Sequence, residues 1–241
     1  MIIKKVNGCT ICFSQKSDGD LAFINMSKEE ITSEWKKICK KNGLSIAEPF
    51  FLKQVHGSEI IFPGKKLSES SHFQGEADAL ITDQEDVTLG VFTADCLPVI
   101  IIGEKTIAAV HAGWKSTRLD ITGKTINKIL AMENILPSQI TVFMGPCIGS
   151  CCLELGDEVA EMFDSTDKSY TSAFSKGKKW HLDLRGLNTM QALSKGIPFH
   201  KIQQENDCTK CQPDTYFSYR GDKGRSGSMF SFVARSKNLF Q

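Results

Sequence analysis

The sequence predicts an α+β fold: a layered α/β architecture with mixed β-sheets flanked by helices. Three observations carry this expectation. Strand-like segments come in runs with helix-like segments between the runs, which argues against a regular βαβ array. The segments "DALIT", "VTLGVFTAD", "LPVIII" and "TIAAVHAG" follow one another with short polar breaks and are mostly apolar on both faces, as strands covered on two sides are. Two stretches, 27–43 and 116–135, have the apolar spacing of amphipathic helices.

In chain order, "CTICFSQ" and "DLAFIN" read as short strands around a polar turn at "KSDGD". Ser27 and Glu30 form a capping box, Ile31, Trp35 and Ile38 an apolar stripe, and Gly43 a stop signal. "PFFLKQVHG" and "SEIIFPG" read as strands meeting at Gly57, and "SESSHFQGE" as a polar loop. After the apolar block, 116–135 reads as one helix with Leu119, Ile126, Ile129 and Leu130 on one face and Pro137 just beyond its end. "ITVFMG" is a further strand. "GDEVAEMF" and "LRGLNTMQALSKG" are short helices, with "WHLDL" a strand between them. "TYFSYR" and "SMFSFVAR" close the chain as strands. With no repeat and no low-complexity linker, 1–241 reads as one domain.

Composition narrows the function classes. The 241 residues carry 29 Lys plus Arg against 28 Asp plus Glu, a net charge of +1. That argues against a nucleic-acid partner recognised through a large basic field. No run approaches the roughly 18 to 20 apolar residues of a membrane span, and the N-terminus lacks a signal-peptide layout, so a cytoplasmic protein is expected. Nine cysteines, an odd number in a chain of this size, read as reduced thiols, some buried and some ligands.

Histidine is scarce, with five in the chain. His56 in "QVHG" and His111 in "VHAGW" sit at strand ends before tight turns, and Cys96 sits at the strand boundary in "ADCLPV". Strand ends beside turns are where a sheet presents side chains to a cleft. Two imidazoles and a thiolate make a zinc set with one open tetrahedral corner. The same residues suit a cysteine nucleophile with a histidine base, and they also suit plain core packing. A blue-copper centre uses this set with a nearby axial Met, but no Met lies between Cys96 and His111. The deaminase H-x-E with P-C-x-x-C, the H-E-x-x-H and the G-x-S-x-G motifs are absent. "GKT" at 123–125 lacks its P-loop glycine, since Arg118 stands there.

Other groups have both a bland and a chemical reading. Cys9 with Cys12 and Cys208 with Cys211 are C-x-x-C pairs that would together hold a structural zinc, yet they lie at opposite ends of the chain. Cys151 and Cys152, being adjacent, are not expected to share a ligand sphere. "GPCIGSCC" is either an anion cradle of backbone N–H groups or a plain connector. Arg220, Lys223 and Arg225 in a glycine-rich loop, and Lys115 with Arg118 after "HAGW", are either phosphate-gripping or solvated cations.

Taken in order, "QVHG", "ADALIT", "TADCLPV", "AAVHAGWKS", "GPCIGSCCLELGDEV", "WHLDL" and "YFSYR" with the following "GR" resemble the laccase-domain family. That family was once labelled multicopper polyphenol oxidase and is now described as purine nucleoside phosphorylase of the YfiH type. The resemblance implies a cysteine-hydrolase-like fold of layered mixed sheets and a Zn2+ site made by His56, Cys96 and His111, with Cu2+ as the older alternative. It implies purine nucleosides and phosphate as partners: phosphorolysis of adenosine, inosine and methylthioadenosine, and deamination of adenosine. Lys115, Glu154, Arg220 and Arg225 are then the expected substrate-binding residues, and Asp78, Asp95 and Glu154 the candidate acids. The chain departs from the family pattern at Lys115, where Arg is usual, at Leu153, where Tyr is commoner, and in "YFSYRGD", which carries one arginine where many relatives carry two.

Overall fold

The computed structural model describes residues 1–62, 67, 71–164, 173–224 and 227–236. In chain order it contains β1 (Ile2–Val6), β2 (Cys9–Phe13), α1 (Lys28–Asn42), β3 (Pro49–Lys53), β4 (Ile60–Ile61), β5 (Phe73–Glu76), β6 (Ala79–Thr82) and β7 (Val87–Thr93). Then follow β8 (Leu97–Ile102), β9 (Ile107–Ala112), α2 (Trp114–Arg118), α3 (Ile121–Glu133), β10 (Thr141–Met144), β11 (Glu154–Leu155) and α4 (Asp157–Asp164). The chain closes with β12 (Phe174–Lys176), β13 (Trp180–Leu182), α5 (Leu184–Ser194), β14 (Ile202–Gln204) and β15 (Met229–Arg235).

Two six-stranded sheets form the centre, ordered β1-β2-β15-β7-β3-β5 and β14-β10-β8-β9-β6-β4, with a small third sheet β11-β13-β12. Both large sheets are mixed: β3 runs parallel to β5 and β7, and β4–β6 and β10–β14 are parallel, among otherwise antiparallel pairs. The large sheets face each other, burying Ile11, Val91 and Val233 of one against Ile100, Ala109 and Phe143 of the other. Helix α1 covers the outer face of the first sheet, its Trp35 ring edge-on to Phe230 and Phe232 at 6.2 and 5.0 Å. Helices α3 and α5 cover the outer face of the second, with Ile121, Ile126, Ile129 and Leu187 against Val99 and Val110. The order is therefore helix, sheet, sheet, helix. Strands β8 and β9 lie inside it, so every residue of both is buried. Each such Val, Leu or Ile contributes about 1.5–3 kcal/mol on leaving water. No helix among the described residues is long and apolar enough to cross a membrane.

Local signals account for much of this. Ser27 Oγ accepts the Glu30 N–H at 3.3 Å, the Glu30 carboxylate accepts the Ser27 N–H at 2.7 Å, and Gly43 ends α1 in the left-handed region at φ 64°. Elsewhere the structure corrects the sequence reading. "DLAFIN" is not a strand. Phe23–Asn25 is a 3-10 turn that inserts the Phe23 ring among Trp35, Phe51, Phe92 and Phe230. "SEIIFPG" pairs only at Ile60–Ile61. Of the expected polar loop, residues 68–70 lie outside the described ones and Phe73–Glu76 is a strand. The stretch 116–135 is two helices, broken where Asp120 turns left-handed (φ 60°) and pairs with Lys195 at 3.0 Å. Leu119 consequently caps α2 and is exposed, off the apolar face of α3. "TYFSYR" is a series of turns: Thr215 and Tyr216 donate to the Gln212 carbonyl, and the backbone bonds that reach distant residues go to the Lys16 N–H and the Asp95 side chain, not to a strand ladder. The buried Tyr216 hydroxyl donates to Asp207 at 2.6 Å.

Candidate functional site: a histidine–cysteine centre at the sheet end

The β8–β9 register pairs Leu97 with Ala112 and Pro98 with His111. Cys96, just before β8, and His111, near the end of β9, therefore lie at the same end of one hairpin. Its opposite turn is tied down by Glu133 of α3, whose carboxylate accepts the N–H groups of Glu104, Lys105 and Thr106 at 2.8, 3.1 and 2.7 Å and the Thr106 hydroxyl. His56 arrives from the first sheet, in the loop after β3, with its backbone left-handed at φ 58°.

Asp78 joins these pieces. It is fully buried beside β6, and its carboxylate accepts the N–H groups of His56 at 2.9 Å, Gly57 at 2.6 Å and Val55 at 3.3 Å. The same carboxylate accepts from His111 Nδ1 at 2.8 Å, and the Asp78 carbonyl accepts the His111 backbone N–H at 2.8 Å. Burial would raise its pKa, but the His111 hydrogen bond and the Gly57 and His56 N–H groups outweigh that and hold it below the usual carboxylate value.

With Nδ1–H committed to Asp78, Nε2 is the His111 nitrogen left to ligate once its proton is lost. The His56 and His111 rings stand edge-to-face with centroids 4.8 Å apart, and one donor atom from each of His56, Cys96 and His111 lies within 4.8 Å of the others. His111 forms the buried floor, Cys96 is half-buried, and His56 is exposed at the rim. Gly113 makes room: a Cβ there would stand 3.1 Å from Cys96 Sγ and 3.2 Å from His56 Cδ2. The electrostatics favour charge separation. Burial opposes a Cys96 thiolate, but His111 and His56 pull the thiol down to about 6. Burial also opposes a charged His111, but Cys96 and Asp78 push it up to about 9. Two imidazoles and a thiolate at these distances suit a divalent ion with one open corner, or a thiolate–imidazolium pair.

The centre opens into a cleft of about 770 Å³ with walls that include Phe92, Trp114, Ile148, Leu153 and Leu184. That size suits a small organic ligand. Lys115 stands at its mouth with Nζ 5.5 Å from the Trp114 ring centroid. Arg220 lines the same cleft; its backbone N–H donates to Asp95 at 2.7 Å and its guanidinium to the Glu154 carbonyl at 2.9 Å. The Glu154 side chain is not brought there. It pairs with Lys179 at 2.6 Å and faces a separate shallow surface pocket. Arg225 lies outside the described residues. Asp95 lines the cleft, but both carboxylate oxygens accept internal hydrogen bonds, from Thr209 Oγ1 and the Arg220 N–H, each at 2.7 Å.

Among the lining residues that the sequence does not single out are Thr93 and Gln54. Thr93 is buried with a hydroxyl that has no partner among the described residues; its place at the strand end two positions before Asp95 was the available signal. Gln54 bonds the Phe92 backbone in both directions at 2.7 Å, acting as an extra rung beyond β3. Cys9 and Cys12 are core residues of β2, one between the sheets and the other under α1.

A helix–sheet–sheet–helix sandwich with a His–Cys centre at one end of its inner hairpin defines the class of protein. The chain belongs to the multi-copper polyphenol oxidoreductase laccase family, whose model matches residues 19–236. It is similar to a purine nucleoside phosphorylase of Clostridium acetobutylicum, 37% identical over 198 residues, covering 81% of this chain and 80% of that protein. It is also 30% identical to adenosine deaminase RL5 of an unknown prokaryotic organism, over 80% of this chain and 77% of that one. The crystal structure of the Bacillus licheniformis hypothetical protein YfiH superposes with a TM-score of 0.82 at 25% identity, covering 95% of this chain and 93% of that chain.

Proposed function

We propose that this chain is a zinc-dependent purine nucleoside enzyme that phosphorolyses adenosine, inosine and methylthioadenosine and deaminates adenosine. The observation that carries the reading is the convergence of His56, Cys96 and His111 within 4.8 Å of one another in the cleft, with Asp78 fixing the His111 tautomer. Relatives named purine nucleoside phosphorylase and adenosine deaminase support the substrate class. His56, Cys96 and His111 would hold the ion, which supplies Lewis acidity and an open coordination position.

The chain's own residues do the rest. Phe92, Ile148 and Leu153 offer apolar surface for a purine, and the free Thr93 hydroxyl offers it a polar contact. Lys115 and Arg220 supply positive charge where phosphate would enter. In phosphorolysis a phosphate oxygen bonds to the ribose C1′ as the bond to the purine nitrogen breaks, and the base leaves with a proton. In deamination water adds at the amino-bearing purine carbon and ammonia leaves. The test is base release from inosine and ammonia release from adenosine. Base release should require phosphate, both activities should be lost on chelation, and both should return with zinc. Absence of both activities from fully zinc-loaded protein refutes the reading.

The lowered Cys96 and raised His111 values favour a second reading, a Cys–His hydrolase or deamidase. Activity that survives chelation and is abolished by alkylation of Cys96 selects it. Copper chemistry of the older family label is checked by visible absorption after copper loading; no methionine lines the cleft among the described residues.

A further inference from the structure

Four thiols lie outside the His–Cys centre, two from each of two segments. Cys151 and Cys152 follow β10, and Cys208 and Cys211 follow β14. The two adjacent cysteines bring both thiols to one place, against the sequence expectation. The Gly149 carbonyl accepts the N–H groups of both Cys152 and Leu153, at 2.9 and 3.0 Å, and this turn carries the two thiols to one place. Cys211 Sγ is 3.6 Å from Cys151 Sγ and 3.4 Å from Cys152 Sγ, and all four sulfurs lie within 4.8 Å of one another. Four sulfurs on a tetrahedron with bonds of about 2.3 Å stand about 3.8 Å apart, which matches this spread. All four are free thiols. The partner of the Cys208–Cys211 pair is therefore the 151–152 pair, and not Cys9 with Cys12.

The surroundings suit a metal-bound thiolate knuckle. The Gly149 N–H donates to Cys208 Sγ at 3.2 Å, the kind of bond that holds a thiolate in a ligating orientation. A Cβ at residue 149 would crowd the thiols, standing 3.2 Å from Cys151 Sγ and 3.3 Å from Cys208 Cβ. His181 Nδ1 lies 2.7 Å from the Ser150 carbonyl and anchors the loop just before the first pair.

We propose that Cys151, Cys152, Cys208 and Cys211 form a second, structural site for one zinc-like divalent ion, coordinated by four thiolates. The site crosslinks two walls of the cleft. One segment carries Ile148 and Leu153, and the other leads to Tyr219 and Arg220. Asp95 joins the two: Thr209, between the second pair of cysteines, donates to its carboxylate at 2.7 Å, and the Ile148 N–H donates to its carbonyl at 2.9 Å. The next residue is Cys96. The second ion thus holds the frame around the first centre without touching it.

Metal content and thiol labelling test this without an activity assay, so the outcome is independent of the nucleoside reading. Protein purified under reductant without chelator should hold two zinc ions per chain. His111→Ala should retain one, and its cobalt-substituted form should show the intense near-ultraviolet charge transfer of several thiolate ligands. Cys208→Ser with Cys211→Ser should lose the same equivalent. In the unmutated protein, alkylation mapped by mass spectrometry should be slow at Cys151 and Cys211 with zinc bound and fast after chelation. This arm stands even if the double variant does not fold. Three outcomes overturn the site: a His111→Ala chain that binds no metal, alkylation rates indifferent to zinc, or a disulfide in place of metal in chains purified under reductant.

Discussion

Asp78→Asn separates charge from shape at the centre. The side chain is isosteric, but the amide offers one acceptor oxygen where the carboxylate offers two. Aimed one way, its NH2 meets the His56 N–H and His111 Nδ1; aimed the other way, it meets the N–H groups of Gly57 and Val55. Two acceptor contacts are lost in either orientation. Hydrogen bonds to a charged group contribute about 1.5–3 kcal/mol each. The long 3.3 Å contact with Val55 makes the second orientation the cheaper, at about 3 kcal/mol. For a chain of this length that lowers the melting temperature by about 6–12 °C. In that orientation His111 keeps its partner but loses the negative charge behind it, so metal affinity should fall by about tenfold or more. Thermal denaturation and competition with a chromogenic chelator read the two effects. A variant that melts like the parent and binds zinc as tightly would refute the role given to Asp78.

In the metal-stripped chain the Cys96 and His111 titrations should offset each other in stability. The Cys96 contribution is complete above its ordinary value of 9.0 and lost as pH falls through about 6, while that of His111 is complete below 6.5 and lost as pH rises through about 9. From 6.5 to 9 the Cys96 gain and the His111 loss cancel, so melting temperature should stay level there; thiolate absorbance of the folded chain should instead appear as pH rises through about 6 and be missing from Cys96→Ser, and a thiol that ionises only near 9 refutes the pair. Gly113→Ala keeps a permitted backbone (φ −72°) but crowds Cys96 and His56, so kcat/KM should drop by about tenfold with circular dichroism unchanged. Lys115→Ala should raise KM for phosphate while leaving the melt unaltered, and an unchanged KM would remove Lys115 from the phosphate path. Glu133→Ala frees the three N–H groups at the far turn of the β8–β9 hairpin and should lower stability by about 2 kcal/mol, read by urea unfolding.

What was legible in the sequence was local. The Ser27–Glu30 box and Gly43 specify α1 by contacts within a few residues. The two-sided apolarity of β8 and β9 follows from their place between layers. The β1–β2 hairpin is equally legible in Asn7-Gly8, whose φ values of 48° and 71° suit a two-residue turn. The break at Asp120 was not legible, because its ion-pair partner Lys195 is distant in the chain. The aromatic, strand-like "TYFSYR" misled because Tyr216 is held by Asp207 and not by a neighbouring strand. At the site, strand-end placement singled out His56, Cys96 and His111, but the partner of His111 depends on the β6–β9 ladder. Glu154 and Arg220 show the same limit. The carbonyl of one receives the guanidinium of the other, while the carboxylate of Glu154 turns to Lys179 on another surface.

The left-handed backbone of His56 also bears on how such a chain would age. A Cβ in that region costs about 1–2 kcal/mol that glycine would not incur. His56→Gly should therefore fold more firmly while discarding an imidazole. A descendant lineage released from its chemistry would gain by drifting to glycine or asparagine at this one position. The residue found at 56 in sister chains then reports, by itself, whether the imidazole is still in use.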